Sequence, residues 1–194
     1  DTPSVSVSVD AADIFESSGN AALPHNQATF TFSLSSPAPG GFDMQLDWAY
    51  HAEMNQGTVL AAGDYTYSLN GGLTFLTGPL PTSLPVNAGD TSITVIIRAY
   101  DDKLSESPEN LNVTILPQNR SADNASDKYH VATTPGTDAD PTLSDTASVT
   151  IHDDTSAVYG RSGAYLDGPT GIGPPVDAGG QPMLNANGKH GARE

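Results

Sequence analysis

Cysteine is absent from all 194 residues, which excludes a disulfide framework, a thiolate nucleophile and a cysteine-ligated zinc site. That absence suits a cytosolic and an extracellular protein equally. Basic residues are scarce: seven Lys and Arg face 23 Asp and Glu, for a formal net charge of -16. Nucleic acid and anionic membranes are bound through clustered Lys and Arg, so neither fits as a partner. No apolar run approaches the ~20 residues that cross a bilayer, so no direct membrane insertion is expected. Aromatics are few, with one Trp. What abounds is Ser, Thr, Gly, Asn, Asp and Pro, the composition of a turn-rich β protein.

Periodicity points the same way, with no convincing helical pattern anywhere. Ser4 to Val9 alternates serine with valine, a strand with one apolar face. Ala28 to Ser33 alternates again, with Phe30 and Phe32 together. Further strands are expected at Met44–Tyr50, which carries Trp48 as a core residue, at Thr91–Arg98, at Leu111–Leu116 and at Thr146–Ile151. Tyr65–Tyr67 and Leu73–Phe75 flank Asn70-Gly71-Gly72, a hairpin signal. The proline-rich stretch 77–85 reads as an edge loop and 118–145 as a long polar loop. Strands recurring every 8–15 residues with turns between them predict an all-β fold, an antiparallel β-sandwich or barrel.

The densest chemistry lies between two of these strands. Asp101, Asp102, Glu106 and Glu109 place four carboxylates in nine residues with one Lys among them. Such groups repel one another unless a cation sits between them. Hard divalent ions take six to eight oxygens at roughly 2.3–2.6 Å. A calcium site is one reading, and a solvated acidic loop is the other. Asp123, Asp127, Asp138, Asp140 and Asp145 are read as a polar loop ahead of a second site.

An ordered series of motifs over roughly residues 3–154 resembles the Calx-β domain family, a calcium-binding β-sandwich of immunoglobulin-like type found in exchangers and bacterial surface proteins. The series is Pro3-Ser-Val-Ser-Val with Glu16 and Gly19, then Phe30-Thr-Phe-Ser-Leu-Ser. It continues with Ala61-Ala-Gly-Asp-Tyr65, Gly72-Leu-Thr-Phe75 and Ala88-Gly-Asp-Thr-Ser, and closes with the acidic block 101–109 and Val149-Thr-Ile-His-Asp-Asp154. The resemblance implies Ca2+ held by Glu16, Asp64, Asp101, Asp102, Glu106, Glu109, Asp153 and Asp154, with the Leu104 carbonyl as a backbone ligand. The strongest binders carry a third consecutive Asp where this chain has Thr155, which implies a lost or weakened ion position. Insertions around 76–85 and 117–145 also depart from the pattern.

No catalytic arrangement stands out, and no enzyme activity is expected. Ser162 lacks the Gly-x-Ser-x-Gly spacing, and the five histidines at 25, 51, 130, 152 and 190 show no metal-type spacing. Residues 155–194 hold nine Gly and four Pro and read as an extended C-terminal tail beyond the sandwich of 1–154. Val158-Tyr159 and Tyr165-Leu166 in that tail suit strand addition to an exposed edge, either of its own sandwich or of a neighbouring molecule. With Asp1 as its first residue the chain reads as processed. Asn112, Asn119 and Asn124 begin glycosylation sequons. The expectation is a secreted, cell-surface or extracellular structural module that binds calcium and forms a homo-oligomer or polymer through its tail. The alternative is an adhesin-type recognition module for a glycan or protein ligand.

Overall fold

The computed structural model describes residues 2–16, 25–60, 62–101, 106–118, 126–132 and 143–153. Ten strands occur among them: β1 (Ser4–Val9), β2 (Asp13–Phe15), β3 (Gln27–Leu34), β4 (Phe42–Tyr50), β5 (Tyr65–Ser68), β6 (Ser83–Val86), β7 (Ser92–Ala99), β8 (Glu109–Leu116), β9 (His130–Val131) and β10 (Thr146–His152). They form two five-stranded sheets, ordered β5-β7-β3-β1-β9 and β2-β10-β8-β4-β6. The described residues contain no helix. The protein is an all-β sandwich.

Period-two alternation drives this layering. Val5 and Val7 of β1, Phe30 and Phe32 of β3, and Val95 and Ile97 of β7 turn inward from one sheet. Met44, Leu46 and Trp48 of β4 meet them from the other, with Leu111, Val113 and Ile115 of β8 and Val149 and Ile151 of β10. Burial of each such side chain contributes roughly 1.5–3 kcal/mol. Trp48 meets Phe30 edge-on at 5.5 Å between ring centroids and donates its indole N–H to the Pro81 carbonyl at 2.9 Å. It is a core residue bridging the sheets.

Several elements differ from the sequence expectation. The sheets are not purely antiparallel: β1 pairs β9 in parallel, and β10 pairs β2 in parallel. Both are two- or three-residue strands at a sheet margin, too short to show a periodic pattern. β9 interrupts the stretch read as polar loop. Its neighbour Tyr129 is fully buried, accepting a hydrogen bond from the Gln45 N–H at 3.0 Å and donating to the Leu116 carbonyl at 2.6 Å. The proline-rich stretch yields β6, an edge strand that buries Leu84 and Val86 and exposes Pro85, where a missing N–H costs no ladder bond. The Asn70-Gly71-Gly72 turn is wider than expected. Only Tyr67 and Leu76 bridge across it, and Leu73–Phe75 forms no strand.

Register sets the direction of every strand and so defines one pole. Tyr65 opposes Ala99, Gln27 opposes Arg98, Tyr50 opposes Leu111, Ile151 opposes Glu109, and His152 lies beside Phe15. The ends of β2, β4, β7 and β10 therefore lie with the starts of β3, β5 and β8. Tyr50 and Tyr65 stack at 6.2 Å, which ties the two sheets together at this pole.

Candidate metal centre

Asp64 enters the pole just before β5. Its N–H donates to the Asn55 carbonyl at 2.9 Å, and its Oδ2 accepts the Asn55 N–H at 2.5 Å. This reciprocal pair closes the 55–64 loop on itself. Gly63 makes the closure possible, since a Cβ there would stand 1.8 Å from the Asn55 carbonyl oxygen. The Tyr100 N–H then donates to the Asp64 carbonyl at 2.9 Å, fastening the loop to the end of β7. Asp64 is completely buried.

Glu109 reaches the same place from the opposite sheet. It is the first residue of β8, opposite Ile151, and is also buried. Glu106 lies half-buried just upstream. Carboxylate oxygens of Asp64, Glu106 and Glu109 all fall within 4.8 Å of one another. Burial, a hydrogen bond to Asp64, and the charges of Asp64, Glu106 and Glu53 push the Glu109 carboxyl up to about 8. A hydrogen bond between two carboxyls requires one of them to carry a proton. The nearby His51 Nδ1 stands 3.9 Å from Glu109 Oε1.

The other sequence-predicted ligands divide into two groups. Asp153 follows β10, and its Oδ2 accepts the Glu106 N–H at 3.2 Å. Glu16 follows β2, is buried, and donates its N–H to the His152 carbonyl at 2.9 Å. Asp101 is half-buried, two residues beyond the end of β7. These three stand at the same pole but are not members of the three-carboxylate cluster. Asp102, Leu104 and Asp154 lie outside the described residues, as does the tail 155–194.

His51 and Glu53 were not singled out from the sequence. The pairing of β4 with β8 brings them in: Tyr50 opposes Leu111, and the His51 N–H donates to the Asn110 carbonyl at 2.9 Å, beside Glu109. An acid and a histidine just past a strand end were the available signal.

The donor set is oxygen only. Two ligands at ~2.4 Å from a common ion lie at most ~4.8 Å apart, so the cluster can share one hard divalent cation. Three carboxylates with no thiolate suit a hard cation better than a thiolate-seeking one.

No family model matches the chain, and no curated protein matches it. Solved structures give distant likenesses. The apo form of the Calx CBD1 domain is 13% identical with a TM-score of 0.38, covering 77% of this chain and 97% of that one. A CBD12 structure from CALX1.2 is 13% identical with a TM-score of 0.38, covering 76% and 45%. A two-domain protein of unknown function from Bacteroides fragilis is 10% identical with a TM-score of 0.39, covering 79% and 46%.

Proposed function

We propose that this chain is a β-sandwich module whose acidic pole binds calcium, with Asp64, Glu106 and Glu109 as side-chain ligands. One observation carries the reading: three carboxylates from two distant parts of the chain, Asp64 and the 106–109 segment, converge within 4.8 Å, two of them buried. Buried like charges are costly without a compensating positive charge. A divalent ion supplies it and replaces the proton that Glu109 otherwise retains. Glu16, Asp101 and Asp153, which stand at the same pole, belong to the proposal as further ligands; the family resemblance adds Asp102, the Leu104 carbonyl and Asp154, which lie outside the described residues.

The mechanical consequence follows from topology. Asp64 leads into β5 of one sheet, and Glu109 opens β8 of the other. An ion between them is a clip across the open end of the sandwich. Calcium binds the folded pole and has no such site in the unfolded chain, so it stabilises by mass action, about 2.7 kcal/mol at one hundred times Kd. The role proposed is a calcium-stiffened structural module of a secreted or cell-surface assembly, where weak sites of extracellular type, with Kd on the order of 0.1–1 mM, are filled. The net charge of -16 supports a molecule that works with cations around it. Assembly with further copies through residues 155–194 is part of the same proposal. Electron microscopy of the full chain with and without calcium tests it, and monodisperse monomers in both conditions would count against it.

Thermal unfolding in EGTA and in calcium tests the binding itself. Saturating calcium is expected to raise Tm by roughly 5–10 °C, from ~2–4 °C per kcal/mol for a chain of this size. Identical Tm values in the two conditions would overturn the proposal.

A further inference from the structure

Among the described residues, the exposed large apolar side chains are unevenly spread. Val59, Leu60, Leu69, Leu73 and Leu76 all sit on the two excursions that border β5, leaving only Phe15 and Leu143 elsewhere. The two excursions touch. A Cβ on Gly78 would meet the Thr58 carbonyl carbon at 3.5 Å and the Val59 nitrogen at 3.6 Å.

The turn carrying Leu73 is pinned from several sides. Ser68 Oγ donates to Asn70 Oδ1 at 2.9 Å and accepts the Gly72 N–H at 2.9 Å. Asn70 Oδ1 accepts the Thr74 N–H at 3.0 Å, and Asn70 Nδ2 donates to Thr74 Oγ1 at 2.8 Å. Arg98 of β7 lies 3.5 Å over the Phe75 ring and fastens the turn to its sheet. Leu73 is nonetheless 84% exposed. A turn held this way presents its leucine to solvent in a fixed place, and contiguous exposed apolar area marks an interaction site.

Leu69, at the start of the same turn, lines a cleft of about 250 Å³ between β6 and the start of β7. Leu84, Pro85 and Ile93 give it apolar walls, and Asp90 places a carboxylate in its lining. The Asn87 N–H donates to Asp90 Oδ2 at 2.7 Å, which holds that carboxylate in place. An apolar hollow with a fixed negative charge in its wall fits a large apolar side chain next to a cation. The Asp90 carboxylate in the lining and the net charge of -16 repel an anionic membrane and favour a basic segment in this cleft.

We propose that the side of the sandwich running from Leu73 and Leu76 into the Leu69–Leu84–Ile93 cleft is a docking surface for an extended protein segment that carries a large apolar residue beside Lys or Arg. The surface is separate from the acidic pole and stands whether or not that pole binds an ion.

Amide nitrogen–proton correlation spectra of the full chain, titrated with capped Gly/Ser octapeptides, test it. The central pair is Phe-Arg, Phe-Glu or Ala-Arg. The Phe-Arg peptide is expected to shift the amides of Leu69, Leu84 and Ile93, binding roughly tenfold more tightly than the other two. Leu73→Ser, at an exposed position, should weaken that binding without changing the fold. Asp90→Asn should make Phe-Arg and Phe-Glu equivalent. Four results would overturn the proposal: no shift with any peptide, equal response to Ala-Arg, shifts centred on the acidic pole, or attachment of the protein to phosphatidylcholine vesicles through Leu73.

Discussion

Asp64 and Asp90 are both aspartates at strand approaches, and they show two uses of a carboxylate. Asp90 is partly exposed and accepts the Asn87 N–H two residues before β7, holding a surface turn. Asp10 behaves alike, its Oδ1 accepting the Thr29 N–H at 2.7 Å. Each stabilises a backbone donor and keeps access to water. Asp64 is fully buried and faces Glu109 and Glu106 across the gap between the sheets. Local hydrogen bonding accounts for the first pair of acids. It leaves the mutual repulsion of the second group to a proton or a metal.

The sharpest way to break this contrast is at the loop that aims Asp64. Gly63→Ala drives a Cβ into the Asn55 carbonyl, 1.8 Å away, so the 55–64 closure must open. A stability loss on the order of 3 kcal/mol by chemical denaturation is expected, together with loss of the calcium response. A variant with unchanged midpoint and calcium response would show that the loop does not position the site.

Next in size is the direct exchange. Asp64→Asn should abolish the calcium-induced rise in Tm while leaving Tm in EGTA unchanged or higher, because a buried like charge has been removed. Asp90→Asn should keep the full calcium response and lose at most about 1 kcal/mol from its turn. Equal calcium responses in the two variants would erase the distinction between them.

The smallest effect is a pH dependence. The Glu109 carboxyl is raised from 4.5 to about 8, so the folded state holds its proton more tightly than the unfolded chain does. Its contribution is complete below about pH 4.5 and is lost as pH rises through about 8. In EGTA, wild type should therefore lose a few degrees of Tm relative to Glu109→Gln over that window. Saturating calcium should remove the loss, since the ion then compensates the charge. Parallel pH curves for the two proteins in EGTA would contradict this assignment.

The long strands were legible from their residue types: Ser4–Val9 and Gln27–Leu34 alternate in sequence, Ser92–Ala99 is a run of β-branched residues, and the sandwich follows from them. Burial follows the alternation in Gln27–Leu34, whereas in Ser4–Val9 the serines at 4 and 6 are buried beside the valines at 5 and 7. β2 and β9 were not legible, since three or two residues cannot display a period and their pairing is decided by a partner strand. β6 was masked by its prolines, although Leu84 and Val86 do alternate about Pro85. At the site, the motif series pointed to Asp64, Glu106 and Glu109, while His51 and Glu53 emerge only once β4 is laid beside β8. The docking cleft had no sequence signature, because Leu69, Leu84 and Ile93 belong to three separate strands or turns that only the packing of the sheets brings together.

Terbium emission excited through tyrosine tests the central claim most directly. Tb3+ takes oxygen ligands as calcium does, and Tyr65 is adjacent to Asp64 and stacked on Tyr50. Wild type should show sensitised emission that calcium displaces, and that signal should vanish in Asp64→Asn and survive in Asp90→Asn. Emission that is absent from wild type, or that persists in Asp64→Asn, would mean the converging carboxylates do not hold a metal.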